Sequence, residues 1–167
     1  MNYLSWLETI PAELTGDPLW RNEVYRLAVL LGDLAWHDVS KLYKDRRTLD
    51  LSNQLFRAIG SVSSNIAEGY SWRSGKDQAR FYEYALGSAR ESRNWYYLGR
   101  HVTGQTVANH RMELLTKIIR LLLVMIPNER GFKMKEDSPE YVADAILLND
   151  FPLPTETHHA PRTMETP

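Results

Sequence analysis

The sequence of 167 residues contains no cysteine. This absence excludes disulfide bonds, thiol catalysis and zinc sites built on cysteine, and it fits a reducing compartment such as the cytoplasm, where we expect the protein to act. A long apolar run is also missing. The longest, at residues 118–126, is interrupted by Arg120 and is too short to cross a bilayer. The first residues lack the basic segment of a signal peptide, so we expect neither secretion nor membrane binding.

An excess of charge of one sign is missing as well, because the net charge is only −1. The charges are nevertheless unevenly distributed: residues 20–128 carry sixteen basic and ten acidic residues, whereas both flanks are acidic. The basic centre leaves a nucleic-acid partner open, although the isoelectric point of about 6.5 argues against one. The alternative is an ordinary scatter of charge on a soluble protein.

The pattern of apolar residues predicts an all-α protein. Apolar side chains recur at three- and four-residue steps in four segments, at residues 20–43, 49–68, 75–101 and 106–126, and no alternating segment predicts a strand. Because the connections are short, neighbouring helices should be antiparallel. The sequence therefore predicts an up-and-down four-helix bundle over residues 20–127.

Several residues predict where these helices begin and end, and which side of the third helix faces the core. Gly69 should end the second helix as a C′ glycine, and Pro127 should end the fourth. Ser74 and Asp77 resemble a capping box at the start of the third. The inner stripe of the third helix is predicted to comprise Phe81, Ala85, Ser88, Ser92, Trp95, Leu98 and Val102.

Two flanks surround the predicted bundle. Residues 1–19 should contain a short helix around Leu4, Leu7 and Ile10. Residues 128–167 form an acidic extension, in which Ser138 and Pro139 favour the start of a short helix to about residue 148. The proline-rich tail that follows carries Phe151 and Leu153, which could pack on the same bundle, on another subunit or on a partner protein.

Asn65 and Glu68 stand one helical turn apart on the second predicted helix. We interpret them as a buried polar clamp that fixes the register of the helices, with Glu68 accepting a hydrogen bond from Arg57 or from the third helix. A ligand contact or an unfamiliar catalytic site is the alternative.

The stretch around this pair resembles a known family of bacterial four-helix bundles, the proteins encoded by intervening sequences of large ribosomal RNA genes. The resemblance extends over roughly residues 20–126 and is carried by a Q-x-x-R-A element, an S-N-I-A-E-G element and an A-x-G-S-x-x-E element. The matching residues are Gln54, Arg57, Ala58, Ser64, Asn65, Ile66, Ala67, Glu68, Gly69, Arg73, Phe81, Ala85, Gly87, Ser88 and Glu91.

The resemblance implies a ring-like homo-oligomer, most simply a pentamer. A looser similarity links the chain to accessory proteins of diversity-generating retroelements, which bind a reverse transcriptase and nucleic acid. No catalytic residue comes with either family, and we expect no enzymatic activity. The chain also lacks a phosphate-binding glycine loop. We expect no cofactor and no metal, because the single E-x-x-H pair, Glu156 and His159, lies in the proline-rich tail.

Basic residues predict the surface that would contact nucleic acid. They could neutralise phosphates while Tyr96 or Tyr97 stacks on bases, and the alternative is a solvated helix face with acidic partners. We therefore favour a homo-oligomeric adaptor that binds RNA or DNA, together with a polymerase such as a reverse transcriptase. The alternative function is a protein scaffold that recruits a basic partner through its acidic carboxyl-terminal arm. The predicted contact residues are Lys44, Arg46, Arg47, Arg73, Lys76, Arg80, Arg90 and Arg93.

Overall fold

The structure is a computed structural model that describes residues 1–131, 147 and 149–155. No strand occurs within these residues, so the all-α prediction is confirmed. The predicted helix at residues 138–148 and the end of the tail lie outside the described residues. The helices are α1 (Tyr3–Leu7), α2 (Ala12–Thr15), α3 (Glu23–Leu42), α4 (Leu49–Ser71), α5 (Gly75–Thr103) and α6 (Gln105–Glu129), and 3₁₀ turns at Pro18–Arg21 and Arg46–Thr48 precede α3 and α4.

The four long helices pack in chain order, and α3 also contacts α6, which closes the core. The contacts between α5 and α6 run in opposite directions along the two helices: Arg93 meets Thr116, whereas the earlier Glu83 meets the later Arg130. The helices are therefore antiparallel, as the short connections predict. No helix in the described part of the chain is long and apolar enough to cross a membrane.

The prediction that Gly69 ends the second helix is wrong. Helix α4 continues to Ser71, and Gly69 is buried inside it. A Cβ atom on Gly69 would lie 2.8 Å from Tyr82 Cε1 and 3.1 Å from Phe81 Cβ. The glycine is therefore needed because α5 passes close to α4 at this point, and not because the backbone must turn.

Ser74 stands at the N-cap and α5 begins at Gly75 as predicted, but the predicted capping box and the predicted helix end at Pro127 are wrong. The Ser74 side chain makes no capping hydrogen bond, and Asp77 pairs with Arg80 instead, at 3.9 Å. Pro127 lies inside α6, which continues to Glu129. A proline in the last helical turn removes only its own bond to the carbonyl of Leu123, a residue on the exposed side of α6 where water can replace the donor.

The inner stripe of α5 differs from the predicted one. Ala85 and Ser92 are buried as predicted, but Leu98 is 45% exposed and Phe81 stacks on Trp72 near the surface. Small residues, which allow neighbouring helices to approach, occupy much of the core face. The buried residues of α5 are Ala79, Tyr82, Ala85, Leu86, Ala89, Ser92, Tyr96, Gly99 and Thr103.

The amino-terminal flank packs through a residue that the pattern does not single out. Leu4 is 64% exposed, whereas Trp6 is only 1% exposed. Leu7 and Ile10 are partly buried against the same core. A helix of five residues is too short for a regular apolar stripe to predict its inner face, so the sequence pattern did not single out Trp6.

Candidate functional site

The eight basic residues predicted to contact nucleic acid do not form one surface. Helix α4 has 23 residues, so the loop before it and the loop after it lie ~34 Å apart, at opposite ends of the bundle. Arg90 and Arg93 lie between these ends, in the middle of α5. Lys44, Arg46 and Arg47 precede α4, whereas Arg73, Lys76 and Arg80 follow it.

The loop before α4 meets the carboxyl end of α5. Gly99 of α5 packs on Leu42 and Leu51: a Cβ atom there would lie 3.2 Å and 3.4 Å from their Cδ2 atoms. The next residue, Arg100, places its guanidinium 4.0 Å from the centre of the Tyr97 ring. Tyr97 is 51% exposed and Tyr43 is 63% exposed. We call this region the loop end and define it by Tyr43, Lys44, Arg46, Arg47, Tyr97 and Arg100.

The loop end has an excess of positive charge. Arg46 is exposed and makes no hydrogen bond or ion pair with another described residue. Arg47 donates to both carboxylate oxygens of Asp45, at 3.0 Å and 2.6 Å, and this hydrogen bond raises the pKa of Arg47. Lys44, Arg46, Arg47 and Arg100 carry four positive charges, and the acids next to them in the sequence, Asp45 and Asp50, carry two negative charges, a difference of two.

Two of the other predicted contact residues are used within the protomer. The Arg80 guanidinium lies near Asp77 and 5.3 Å from the centre of the Phe81 ring. Arg93 is half-buried and donates to Thr116 Oγ1 at 3.2 Å. Tyr96, one of the two tyrosines predicted to stack on bases, is fully buried. Arg73, Lys76 and Arg90 are exposed and make no ion pair with another described residue.

The interpretation of Asn65 and Glu68 as a buried clamp is wrong. Glu68 is exposed, and Asn65 Nδ2 donates to the Ser61 carbonyl of the same helix at 2.8 Å. Arg57 is exposed too, and it stands eleven residues before Glu68, ~16 Å along the helix, which is too far for an ion pair. The apolar pattern places Ile66 and Gly69 in the core, so Glu68 turns outward and Asn65 lies at the edge of the buried face.

A buried charged cluster, which the sequence analysis missed, connects three helices. Asp38 on α3 and Arg111 on α6 are completely buried and form an ion pair, with Arg111 Nε 2.8 Å from Asp38 Oδ2 and Nη2 3.2 Å from Oδ1. The hydroxyl of the buried Tyr96 on α5 donates to Asp38 Oδ2 at 2.8 Å. Most of the hydrogen-bonding capacity of both charged groups is thereby satisfied, as buried charges require.

Residues 150–155, which we call the strap, cover this cluster. Arg111 Nη2 donates to the carbonyl of Pro152 at 2.8 Å, and the Phe151 ring is buried with its edge against His110. Lys41 Nζ donates to the Thr155 carbonyl at 2.6 Å. The part of the acidic arm that the structure describes therefore packs on its own bundle.

The sequence does carry a signal for the buried cluster. Asp38 stands four residues after Leu34 and four before Leu42, both of which are buried. Arg111 stands three residues before Leu114 on the apolar stripe of α6. One acidic residue in one apolar stripe and one basic residue in another indicate that the two form an ion pair in the core.

We expect the substitution Tyr96→Phe to change how stability depends on pH. Burial, and then the nearby Asp38 carboxylate, raise the pKa of Tyr96 well above 10. The unfolded chain therefore loses this proton first, and folding becomes less favourable as the pH rises above 10. Phenylalanine removes this effect, so the stability advantage of the native protein should shrink by about 1.4 kcal/mol per pH unit above pH 10. Urea unfolding from pH 8 to pH 11.5 measures it, and a constant difference would contradict the assignment.

The described residues hold no group of three or more histidine, aspartate or glutamate side chains that could bind a metal ion. Glu156 and His159, the pair with metal-ligand spacing, lie outside the described residues.

Comparison with known proteins identifies a family for most of the chain. No curated protein and no solved structure gives a significant match. The model of the 23S rRNA-intervening sequence protein family matches residues 21–126, which begin just before α3 and end near the end of α6. The match confirms the resemblance that the sequence motifs carry, and the chain belongs to the family of 23S rRNA-intervening sequence proteins.

Proposed function

We propose that this protein is a non-enzymatic, homo-oligomeric helical bundle that binds RNA through its loop end and acts as an adaptor in a ribonucleoprotein. The observation that carries the proposal is the gathering of Lys44, Arg46 and Arg100 with two exposed tyrosines at one end of the bundle. Basic groups can neutralise phosphates, and tyrosine rings can stack on unpaired bases. The family description is compatible with an RNA-associated role.

Homo-oligomerisation is part of the proposal because one loop end has only two net positive charges. Phosphate contacts of that number give weak binding, but a ring such as a pentamer would repeat the loop end and add the contacts by multivalency. The exposed rings of Trp72 and Tyr84, with the half-buried Phe81 between them, offer a protein-binding surface on α4 and α5. A polymerase such as a reverse transcriptase is the protein partner that such an adaptor would serve.

The absence of catalysis is part of the proposal. Glu68, one of the pair considered for an unfamiliar active site, lies on an exposed helix surface, and the partly buried Asn65 bonds to its own helix. Such a surface lacks the walls that exclude water and strengthen electrostatic interactions in an active site.

The double substitution Lys44→Glu with Arg46→Glu should abolish most RNA binding. Reversing two charges at the loop end removes its positive excess, and we expect at least about a tenfold loss of affinity for a labelled single-stranded RNA, measured by fluorescence anisotropy in 0.1 M salt. The affinity of the native protein should also fall steeply as salt is added.

The matched control is Arg73→Glu with Lys76→Glu, which makes the same change of charge at the opposite end of the bundle. This control should retain affinity within about threefold, because global charge acts weakly beyond a Debye length of ~10 Å in 0.1 M salt. Equal losses in both variants would exclude a local site. Lack of binding by the native protein at low salt would exclude the function itself. A parallel titration with DNA of the same sequence shows whether the protein binds RNA or DNA more tightly.

A further inference from the structure

A cleft of about 320 Å³ lies where α1, α3 and the strap meet. Its floor is formed by buried Trp6, Leu34 and Phe151, and the exposed Trp36 and Leu153 stand at its rim. Aromatic rings from three different segments therefore surround one opening. Such a concave, mainly apolar site with few polar groups is typical of small-molecule binding.

A carboxylate marks one side of this cleft. The indole Nε1 of Trp6 donates to Asp33 Oδ2 at 2.7 Å, which fixes the orientation of the Asp33 side chain. Asp33 makes no ion pair with a basic residue of the described chain. The Met1 ammonium, which also lines the cleft, pairs with Asp150 Oδ1 at 3.0 Å. Asp33 therefore offers a fixed negative charge beside the aromatic walls.

We propose that this cleft binds a small organic cation, namely a protonated amine joined to an aromatic or branched apolar body. The ammonium group would pair with Asp33 and lie beside the exposed indole ring of Trp36, since aromatic rings attract cations through their faces. The apolar body would fill the floor formed by Leu34 and Phe151. A neutral alcohol of the same shape could donate only one hydrogen bond to the carboxylate and would bring no opposite charge, and an anion would be repelled.

The cleft is separate from the loop end that we propose for RNA. Asp33 precedes Lys44 by eleven residues, ~16 Å along α3, so a molecule in the cleft does not occupy the loop end. The proposal concerns a different ligand at a different position along the bundle, and its outcome does not depend on RNA binding. The cleft also depends on the strap, because Phe151 and Leu153 close one of its sides.

The experiment is a calorimetric titration of the full chain with three ligands of matched size: phenethylamine, the neutral 2-phenylethanol and the anionic phenylacetate. The indole fluorescence of the protein gives a second readout, since two tryptophans line the cleft. Phenethylamine should bind at one site per chain, at least about tenfold more tightly than the alcohol. Phenylacetate should bind most weakly. Equal affinities for the amine and the alcohol, or no saturable binding of the amine, would overturn the proposal.

The substitution Asp33→Asn tests the carboxylate without removing the acceptor for Trp6 Nε1. It should weaken phenethylamine binding by about tenfold and leave 2-phenylethanol binding unchanged. Asp50→Asn, which removes an exposed acid in the first turn of α4, is the matched control and should leave both affinities unchanged. If Asp33→Asn and the native protein bind the amine equally at equal thermal stability, the cleft does not select a cation.

Discussion

Replacing Arg111 with leucine is expected to lower the free energy of unfolding by about 3–5 kcal/mol. Arg111 and Asp38 are both completely inaccessible to water. Without the guanidinium, the Asp38 carboxylate remains in the core with only the Tyr96 hydroxyl as a donor, and the Pro152 carbonyl loses its partner. The folded protein must then either bury an uncompensated charge or take up a proton. Urea unfolding followed by circular dichroism at 222 nm measures the loss.

The strap should respond to the same substitution. Arg111 holds Pro152 by a hydrogen bond of 2.8 Å, so its removal should loosen residues 150–155 before the helices unfold. Hydrogen exchange at the Phe151 amide, which donates to the Met1 carbonyl at 2.9 Å, reports this opening. Unchanged protection of this amide would mean that the buried Phe151 ring alone holds the strap.

Two control variants separate charge burial from the mere loss of an arginine. Arg120→Leu changes an exposed arginine on the same helix and should alter stability by less than about 0.5 kcal/mol. The double variant Asp38→Leu with Arg111→Leu removes both charges and should recover part of the loss, because no charge remains buried. If Arg111→Leu lowered the free energy of unfolding by less than about 1 kcal/mol, the Asp38–Arg111 pair would not be sealed from water.

The amphipathic pattern was sufficient to predict the four long helices, and leucine, isoleucine and valine at helical spacing form much of the core face of α3, α4 and α6. It was insufficient for the inner face of α5, where small residues and the buried Tyr82 and Tyr96 face the core while Phe81 lies near the surface. Hydropathy ranks Phe81 above Ala79 or Ala89, although α4 and α6 can approach only where the side chains are small. The pattern therefore predicted only part of the inner face of α5: Ala85 and Ser92 are buried, and Trp95 and Val102 pack partly on the core, but Leu98 is exposed.

The basic residues show the opposite weakness of sequence reasoning. Spacing along one helix relates Arg73, Lys76 and Arg80 to Arg90, but it does not reveal that Arg80 lies beside Asp77 and Phe81. Nor does it reveal that Arg100 lies at the same end as Arg46, because that proximity follows from the packing of Gly99 on Leu42 and Leu51. The sequence shows which residues are charged, but only the packing of the helices shows which of them lie close together.

The same limit applies to the cleft around Asp33. Its walls come from α1, from α3 and from the strap, which lies more than a hundred residues further along the chain. No window of sequence contains Trp6, Asp33 and Phe151 together. Only the return of the strap to the start of the chain, through the hydrogen bond from Phe151 to Met1, brings these segments into one site.

Two glycines of α4 should respond in opposite directions when each is replaced by alanine. Gly69 is buried, and a Cβ atom there would lie 2.8 Å from the ring of Tyr82, which is itself only 2% exposed. The ring cannot swing into solvent, so α4 and α5 must separate slightly, and we expect Gly69→Ala to destabilise the protein by about 1–3 kcal/mol. Gly60 lies nine residues earlier on the exposed side of the same helix, with no atom within 4 Å of a built Cβ. There alanine gains helix propensity without a clash, and Gly60→Ala should stabilise the protein by about 0.5–1 kcal/mol.

The pair of variants tests the role of Gly69 because each substitution adds the same methyl group to the same helix. If Gly69 served only to end α4, alanine at either position would have a similar effect, and the two unfolding midpoints would shift together. The close approach of α4 and α5 predicts instead that the two free energies of unfolding differ by about 1.5–4 kcal/mol, the sum of the two expected effects. The companion substitution Tyr82→Leu shortens the side chain that meets Gly69. It should reduce the cost of Gly69→Ala, since residues in contact do not contribute independently to stability. Additive effects of Gly69→Ala and Tyr82→Leu would show that the strain lies elsewhere in the helix pair.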